Sequence, residues 1–127
     1  MRRIVVTGFG IVSPLGCGVD LVWKRLLAGR SGIRRLSDNL VPDVGAKVAG
    51  VVPTVAEDAQ GGFDPDRVVN AKDQKRMDRF IQFAMAAAKE AIAQAAWTPT
   101  TDNSRNRTAT IIASGIGGFA TMKQAVH

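Results

Sequence analysis

The chain has 127 residues, 46% of them hydrophobic and 22% charged, with a net charge of +6, which is the profile of an ordinary globular domain with a real core. A single cysteine, Cys17, and a single histidine, His127, exclude an internal disulfide and any zinc site built from several cysteines or histidines. Met1-Arg2-Arg3 leads into only a short apolar run, so neither a signal peptide nor a membrane span is expected, and the lone thiol fits a reducing compartment.

The first element is Ile4-Val5-Val6, leaving through Thr7-Gly8-Phe9-Gly10 into Ile11-Val12-Ser13-Pro14-Leu15-Gly16. Short Ile/Val runs without polar alternation predict a buried parallel strand, and the glycines mark a sharp turn or a close approach of backbone. Asp20 is the expected N-cap of a helix carrying Leu21, Trp23, Leu26 and Leu27, with Gly29 as its C′ stop. Residues 30–45 read as loop, Ala46–Val52 as a strand ended by Pro53, and 54–62 as a polar, flexible stretch.

Asp64-Pro65 opens a short helical turn. Asn70, followed by Asp73, predicts the cap of one long helix running to about Ala96 and ended by Trp97-Thr98-Pro99. Phe80, Phe83, Ala84, Ala87, Ala88, Ala91, Ile92 and Ala95 form a stripe that Met77, Ile81 and Met85 widen. A helix so apolar belongs between layers of a larger protein. Thr100–Arg107 read as a polar loop, and Thr110-Ile111-Ile112-Ala113 as a second buried parallel strand leaving through Ser114-Gly115-Ile116-Gly117-Gly118. Phe119 to His127 read as a helix without a stop signal. The sum is an α/β arrangement in a single domain over 1–127 with no internal boundary, and the expectation is that the chain is the first part of something larger. Such a piece alone would expose apolar faces and strand edges, so poor solubility or association is expected of it.

Neither glycine junction is a nucleotide motif. Gly8-x-Gly10 continues to Ser13-Pro14, with no acidic residue at the distance of a ribose contact, and Gly115-x-Gly117-Gly118 lacks a Lys-Ser/Thr ending. Cys17 stands in a glycine loop with no neighbouring cation to lower its pKa, so it reads as inert, and His127 completes no nucleophilic set. The basic cluster is sharper. Lys72, Lys75, Arg76 and Arg79 follow i, i+3, i+4, i+7 and would share a face in the first two turns of the long helix. Positive charge is disfavoured there by the macrodipole, and Asp73 and Asp78 offset only part of it. The alternatives are a solvated face or an acidic partner. No aromatic residue interleaves the basic face, so an acidic protein suits it better than nucleic acid.

The run Arg2 to Gly16 (RRIVVTGFGIVSPLG), Trp23 with Leu26–Ile33, the stretch Lys72–Phe80 (KDQKRMDRF) and Ser114–Gly118 (SGIGG) together resemble, in order, the amino-terminal part of the β-ketoacyl-acyl-carrier-protein synthase II family. The resemblance covers nearly the whole chain, residues 53–70 being indistinct. It implies a thiolase-like fold of α-β-α-β-α layers, incomplete here, a cytoplasmic homodimer, no cofactor, and a decarboxylating Claisen condensation of an acyl-enzyme thioester with malonyl-carrier protein. It implies that the nucleophilic cysteine, two histidines and a lysine lie outside this stretch, Cys17 and His127 matching none of them, so that the stretch alone is expected to be inactive. By position, Ile116 is similar to an isoleucine lining the acyl pocket near the dimer interface. Lys72, Lys75 and Arg76 are similar to residues that dock the acyl carrier protein. Two other functions stay open: a catalytically silent relative of the chain-length-factor type, and a basic nucleic-acid-binding domain.

Overall fold

The computed structural model describes residues 3–40 and 42–126, and the chain gathers into two compact units, one from Met1–Gly10 with Pro65–His127 and the other from Ile11–Asp64. His127 and the leading Met1-Arg2 lie outside the described residues. The described secondary structure is mixed helix and strand.

The Ile11–Asp64 unit begins with a tight hairpin, β1 (Val12–Ser13) against β2 (Gly16–Cys17), that feeds α1 (Val19–Leu27). The N-cap of α1 is Gly18, and Asp20 falls in the first turn rather than capping it, which still places a carboxylate at the positive end of the helix dipole. Gly29 takes φ +66 just beyond the C-cap Ala28, the left-handed stop expected of it. Residues 33–35, read as loop, instead form β3 (Ile33–Arg35), antiparallel to β4 (Val48–Gly50). Pairing of Ile33 with Gly50 and Arg35 with Val48 supplies a ladder that no local pattern in 30–45 announces.

The polar stretch after β4 is ordered by its carboxylates. Glu57 accepts from the Thr54 N–H at 2.8 Å and from the Thr54 hydroxyl at 3.0 Å, and pairs with Arg34 at 2.7 Å. Asp58 accepts from the Gln60 and Gly61 N–H groups at 3.2 and 3.1 Å. Gly61 in turn accepts from the Cys17 N–H at 2.9 Å. Val22, Pro53 and Phe63 are among the buried residues of this unit.

In the other unit, a 3₁₀ turn (Pro65–Arg67) precedes α2 (Ala71–Gln74), α3 (Arg79–Ala95), α4 (Asp102–Asn106) and α5 (Phe119–Val126). The single long helix expected from Asn70 is two helices. Asn70 does cap, accepting from the Asp73 N–H at 3.0 Å and returning its amide to Asp73 Oδ2 at 2.8 Å, but the helix it starts ends at Gln74. Asp78 then restarts the chain as the N-cap of α3. Buried Gln82 explains how the break survives: its Nε2 donates to the Met77 carbonyl at 3.1 Å and to Gln74 at 3.4 Å, occupying acceptors that a continuous helix would have satisfied itself. The expected polar loop at 100–107 contains α4, closed by a capping box between Thr101 and Ser104.

Ile4–Val6 and Thr110–Ala113 form no strand. Ile4 is 96% and Ile111 90% exposed, and the ladders among the described residues are the two antiparallel pairs plus an isolated parallel bridge between Thr54 and Phe63. A buried parallel strand needs hydrogen-bonded neighbours on its edges and cover on both faces, and no described segment supplies them. What the glycines do is visible nonetheless. Gly8 and Gly10 let the backbone lie directly on α3: a Cβ on Gly10 would enter the Ala87 carbonyl, and one on Gly8 would strike the Ala91 carbonyl. The Phe9 N–H donates to Gln94 Oε1 at 2.6 Å along the same contact. The alanines of α3 serve here as the surface for that close approach.

Candidate functional site

The resemblance-carrying segments 72–80 and 114–118 meet at the amino end of α3. Lys72 stands exposed on α2, Lys75 is the C-cap of that short helix, and Arg76 lies in the turn that follows, its N–H bonded to the Asp73 carbonyl at 2.9 Å. Arg79 opens α3 and lies over the Phe83 ring, 5.3 Å from its centroid. The four cations therefore do not share one helix face as their spacing predicted, because the break between Gln74 and Arg79 interrupts the helical period. Arg79 alone of the four stands at the start of a long helix, whereas Lys75 sits at the carboxyl end of α2, where the dipole favours it. The exposure of Lys72, Lys75 and Arg76 stands; the electrostatic argument that singled them out does not.

Against this segment rests the glycine turn. Gly117 packs on the Phe80 ring and Gly118, at φ +76, brings its Cα so near Asp78 that a side chain there would stand 2.9 Å from Oδ2. Gly118 also accepts the first backbone bond of α5, from the Met122 N–H at 2.9 Å. Thr121, in the first turn of α5, donates its hydroxyl to Asp78 Oδ1 at 2.6 Å. Asp78 thus sits at two helix amino termini at once, a location that suits a carboxylate. It was legible in the sequence only as a partial offset to the neighbouring cations. The stronger signal, an Asp directly before a helix-forming run, is masked by the apparent continuity of 70–96.

Ile116 sits on that turn and is 78% exposed. Beside it an apolar cleft of about 340 Å³ runs between the first turns of α3 (Phe80, Ile81, Ala84 and Met85 among its walls) and Ile112–Ser114. Ile116 is not among the residues lining this cleft. The arrangement is one of binding surfaces: an exposed basic turn, an apolar cleft, and an aliphatic side chain presented by glycines. Cys17 is half-buried in the other unit, and no group of three His, Cys, Asp or Glu side chains among the described residues is placed to hold a metal ion. No helix among them is long and apolar enough to cross a membrane.

The sequence model of the family described as "Beta-ketoacyl synthase, N-terminal domain" matches residues 1–127. The chain is 44% identical over 119 residues to 3-oxoacyl-acyl-carrier-protein synthase 2 of Rhizobium meliloti (strain 1021), covering 94% of this chain and 28% of that protein. It is 37% identical over 140 residues to the mitochondrial 3-oxoacyl-acyl-carrier-protein synthase of Arabidopsis thaliana, covering 99% of this chain and 29% of that one. It is 38% identical over 118 residues to the synthase 2 of Vibrio cholerae, covering 93% and 26% respectively. The chain therefore spans between 26% and 29% of the length of these relatives.

Proposed function

Because the chain belongs to the β-ketoacyl synthase N-terminal domain family, we propose that it serves a fatty-acid-elongating 3-oxoacyl-acyl-carrier-protein synthase. In that reaction the thioester carbonyl of an enzyme-bound acyl group is attacked by the α-carbon of a malonyl thioester. The new carbon–carbon bond forms as carbon dioxide leaves, and the enzyme's thiolate departs from the acyl group. Such chemistry requires an activated thiol and donors aimed at the developing enolate. In this reading the cysteine, histidines and lysine that supply them lie outside residues 1–127. The chain forms part of one thiolase-like layered domain, in a cytoplasmic homodimer.

The contribution of this stretch is recognition. Lys72, Lys75 and Arg76 dock an acidic acyl carrier protein, and Ile116 lines the pocket that receives the acyl chain. The observation that carries the reading is the joining of these two parts: the basic turn ends in Asp78 and Phe80, and the glycine turn bearing Ile116 rests on those same two residues. Partner docking and chain binding are thereby built on one helix terminus. The residues themselves recognise charge and apolar bulk, and no step needs a cofactor.

The test is charge reversal in the protein that carries this chain. The double substitution Lys75→Glu and Arg76→Glu is expected to raise the Kd for holo-acyl carrier protein by roughly tenfold or more, with a shallower salt dependence than the parent. An unchanged Kd would overturn the docking assignment. Salt-dependent binding of duplex DNA, abolished by the same substitutions, would favour the nucleic-acid reading instead.

A further inference from the structure

We propose that Asp78 is a positioning residue, paired with Thr121, that fixes the 114–118 turn and so sets which acyl chains Ile116 admits. This rests on the reading of Ile116 as a wall of the acyl pocket. Three observations converge on it. Asp78 occupies the N-cap of α3, yet its side chain makes no capping bond to that helix. Its carboxylate is instead turned to α5, where Oδ1 accepts from the Thr121 hydroxyl at 2.6 Å. Oδ2 lies beside Gly118, where an added Cβ would stand 2.9 Å from it and the φ of +76 favours glycine.

The physical consequence is that the turn is clamped from both ends of a short span. Thr121 is held by that carboxylate, Gly118 passes close beside it, and Gly117 lies on the Phe80 ring two residues further along. Ile116, exposed and attached to the turn by glycines on both sides, has little else to define its place. A carboxylate at the amino end of α5 also holds that helix's first turn through the dipole. Removing the hydroxyl of Thr121 leaves Asp78 without this partner and frees the turn to shift, so the wall Ile116 forms becomes less sharply defined.

The experiment uses the whole enzyme and compares kcat/KM for saturated acyl-carrier substrates from short to long. Thr121→Val keeps the shape and removes the donor; it is expected to change the long-to-short ratio by about threefold or more, while Thr121→Ser retains the parental ratio. Asp78→Ala is a second route to the same loss, and hydrogen exchange at the 115–118 amides should quicken in both. Ile116→Ala serves as the reference. If Ile116→Ala shifts the profile but Thr121→Val and Asp78→Ala do not, the positioning role is overturned and the pocket reading stands. If Ile116→Ala also leaves the profile unchanged, the pocket reading fails and takes this proposal with it. A shift in Thr121→Ser equal to that in Thr121→Val would also overturn it, since the hydroxyl would then be irrelevant.

Discussion

Arg25 and Asp58, 33 residues apart in sequence, meet with both carboxylate oxygens facing the guanidinium, Nη2 reaching Oδ1 at 3.1 Å and Nη1 bound to Oδ2. Arg25 also donates to the Leu15 carbonyl at 2.7 Å, and Asp58 gathers the N–H groups of Gln60 and Gly61. The pair therefore ties the β1–β2 turn, α1 and the 58–61 loop at one point. The guanidinium, followed by those N–H groups, holds the Asp58 carboxyl down at about 2, and Asp58 in turn raises the pKa of Arg25.

This gives a pH dependence with a definite sign. The folded Asp58 binds its proton only near pH 2, whereas an unperturbed carboxyl does so at 3.8, so the unfolded chain takes up more protons in between. Its contribution is complete above about pH 4 and is lost as pH falls towards 2. Glu57, lowered to about 2 chiefly by the Thr54 N–H and then by Arg34, acts over the same range. Asp58→Asn is expected to cost about 1 to 2 kcal/mol at pH 7 after solvent screening. Urea denaturation of parent and variant at pH 7 and pH 2.5 checks this: the gap should narrow at the lower pH, and a constant gap would contradict it.

Gly10→Ala should destabilise by about 2 to 3 kcal/mol, because the added methyl enters the Ala87 carbonyl of α3 and the backbones must part. Thermal unfolding is the measurement. Gly45→Ala, which meets nothing within 4 Å, is the matched control and should leave the midpoint nearly unchanged.

Gln82→Leu fills the same space without the two donations that hold the α2–α3 break. The expected cost is about 1 to 3 kcal/mol, with faster amide exchange at Arg76 and Met77. Unaltered exchange there would mean that the Asn70 cap and Asp78 suffice to hold the break.

Asn70→Ala removes the α2 cap and should cost about 1 kcal/mol. In the proposed reading it should also weaken carrier-protein binding, since Lys72 and Lys75 are carried by that helix; calorimetric titration against holo-carrier protein would show it.

The sequence disclosed elements whose signals are local. Gly29 stopping α1, Asp64-Pro65 opening a turn, Asn70 capping, and the helix from Phe119 are all formed where their residues indicate. What escaped depends on partners distant in the chain. β3 exists because 48–50 pairs with it, and the break after Gln74 persists because Gln82 satisfies its carbonyls. A lone glutamine between Ile81 and Phe83 was the available clue to that break. The strands read at Ile4–Val6 and Thr110–Ala113 failed for the complementary reason: apolar composition marks a segment as fit for burial, but a ladder requires neighbours. Lys72, Lys75, Arg76 and Arg79 were grouped by a helical period that the fold does not keep, because the break after Gln74 lies among them.

The Phe9–Gln94 hydrogen bond also has a temporal meaning. It joins groups 85 residues apart, whereas the β3–β4 pairing, the Asn70 cap and the Thr101–Ser104 box close over much shorter spans. Loop closure favours the short spans first. During synthesis, roughly 4 to 17 seconds separate the appearance of Phe9 from that of its acceptor. The Gly8–Gly10 segment must therefore wait for its close backbone approach and for the Phe9 bond until α3 has been completed. Until then the alanine surface on which Gly8 and Gly10 come to lie does not exist.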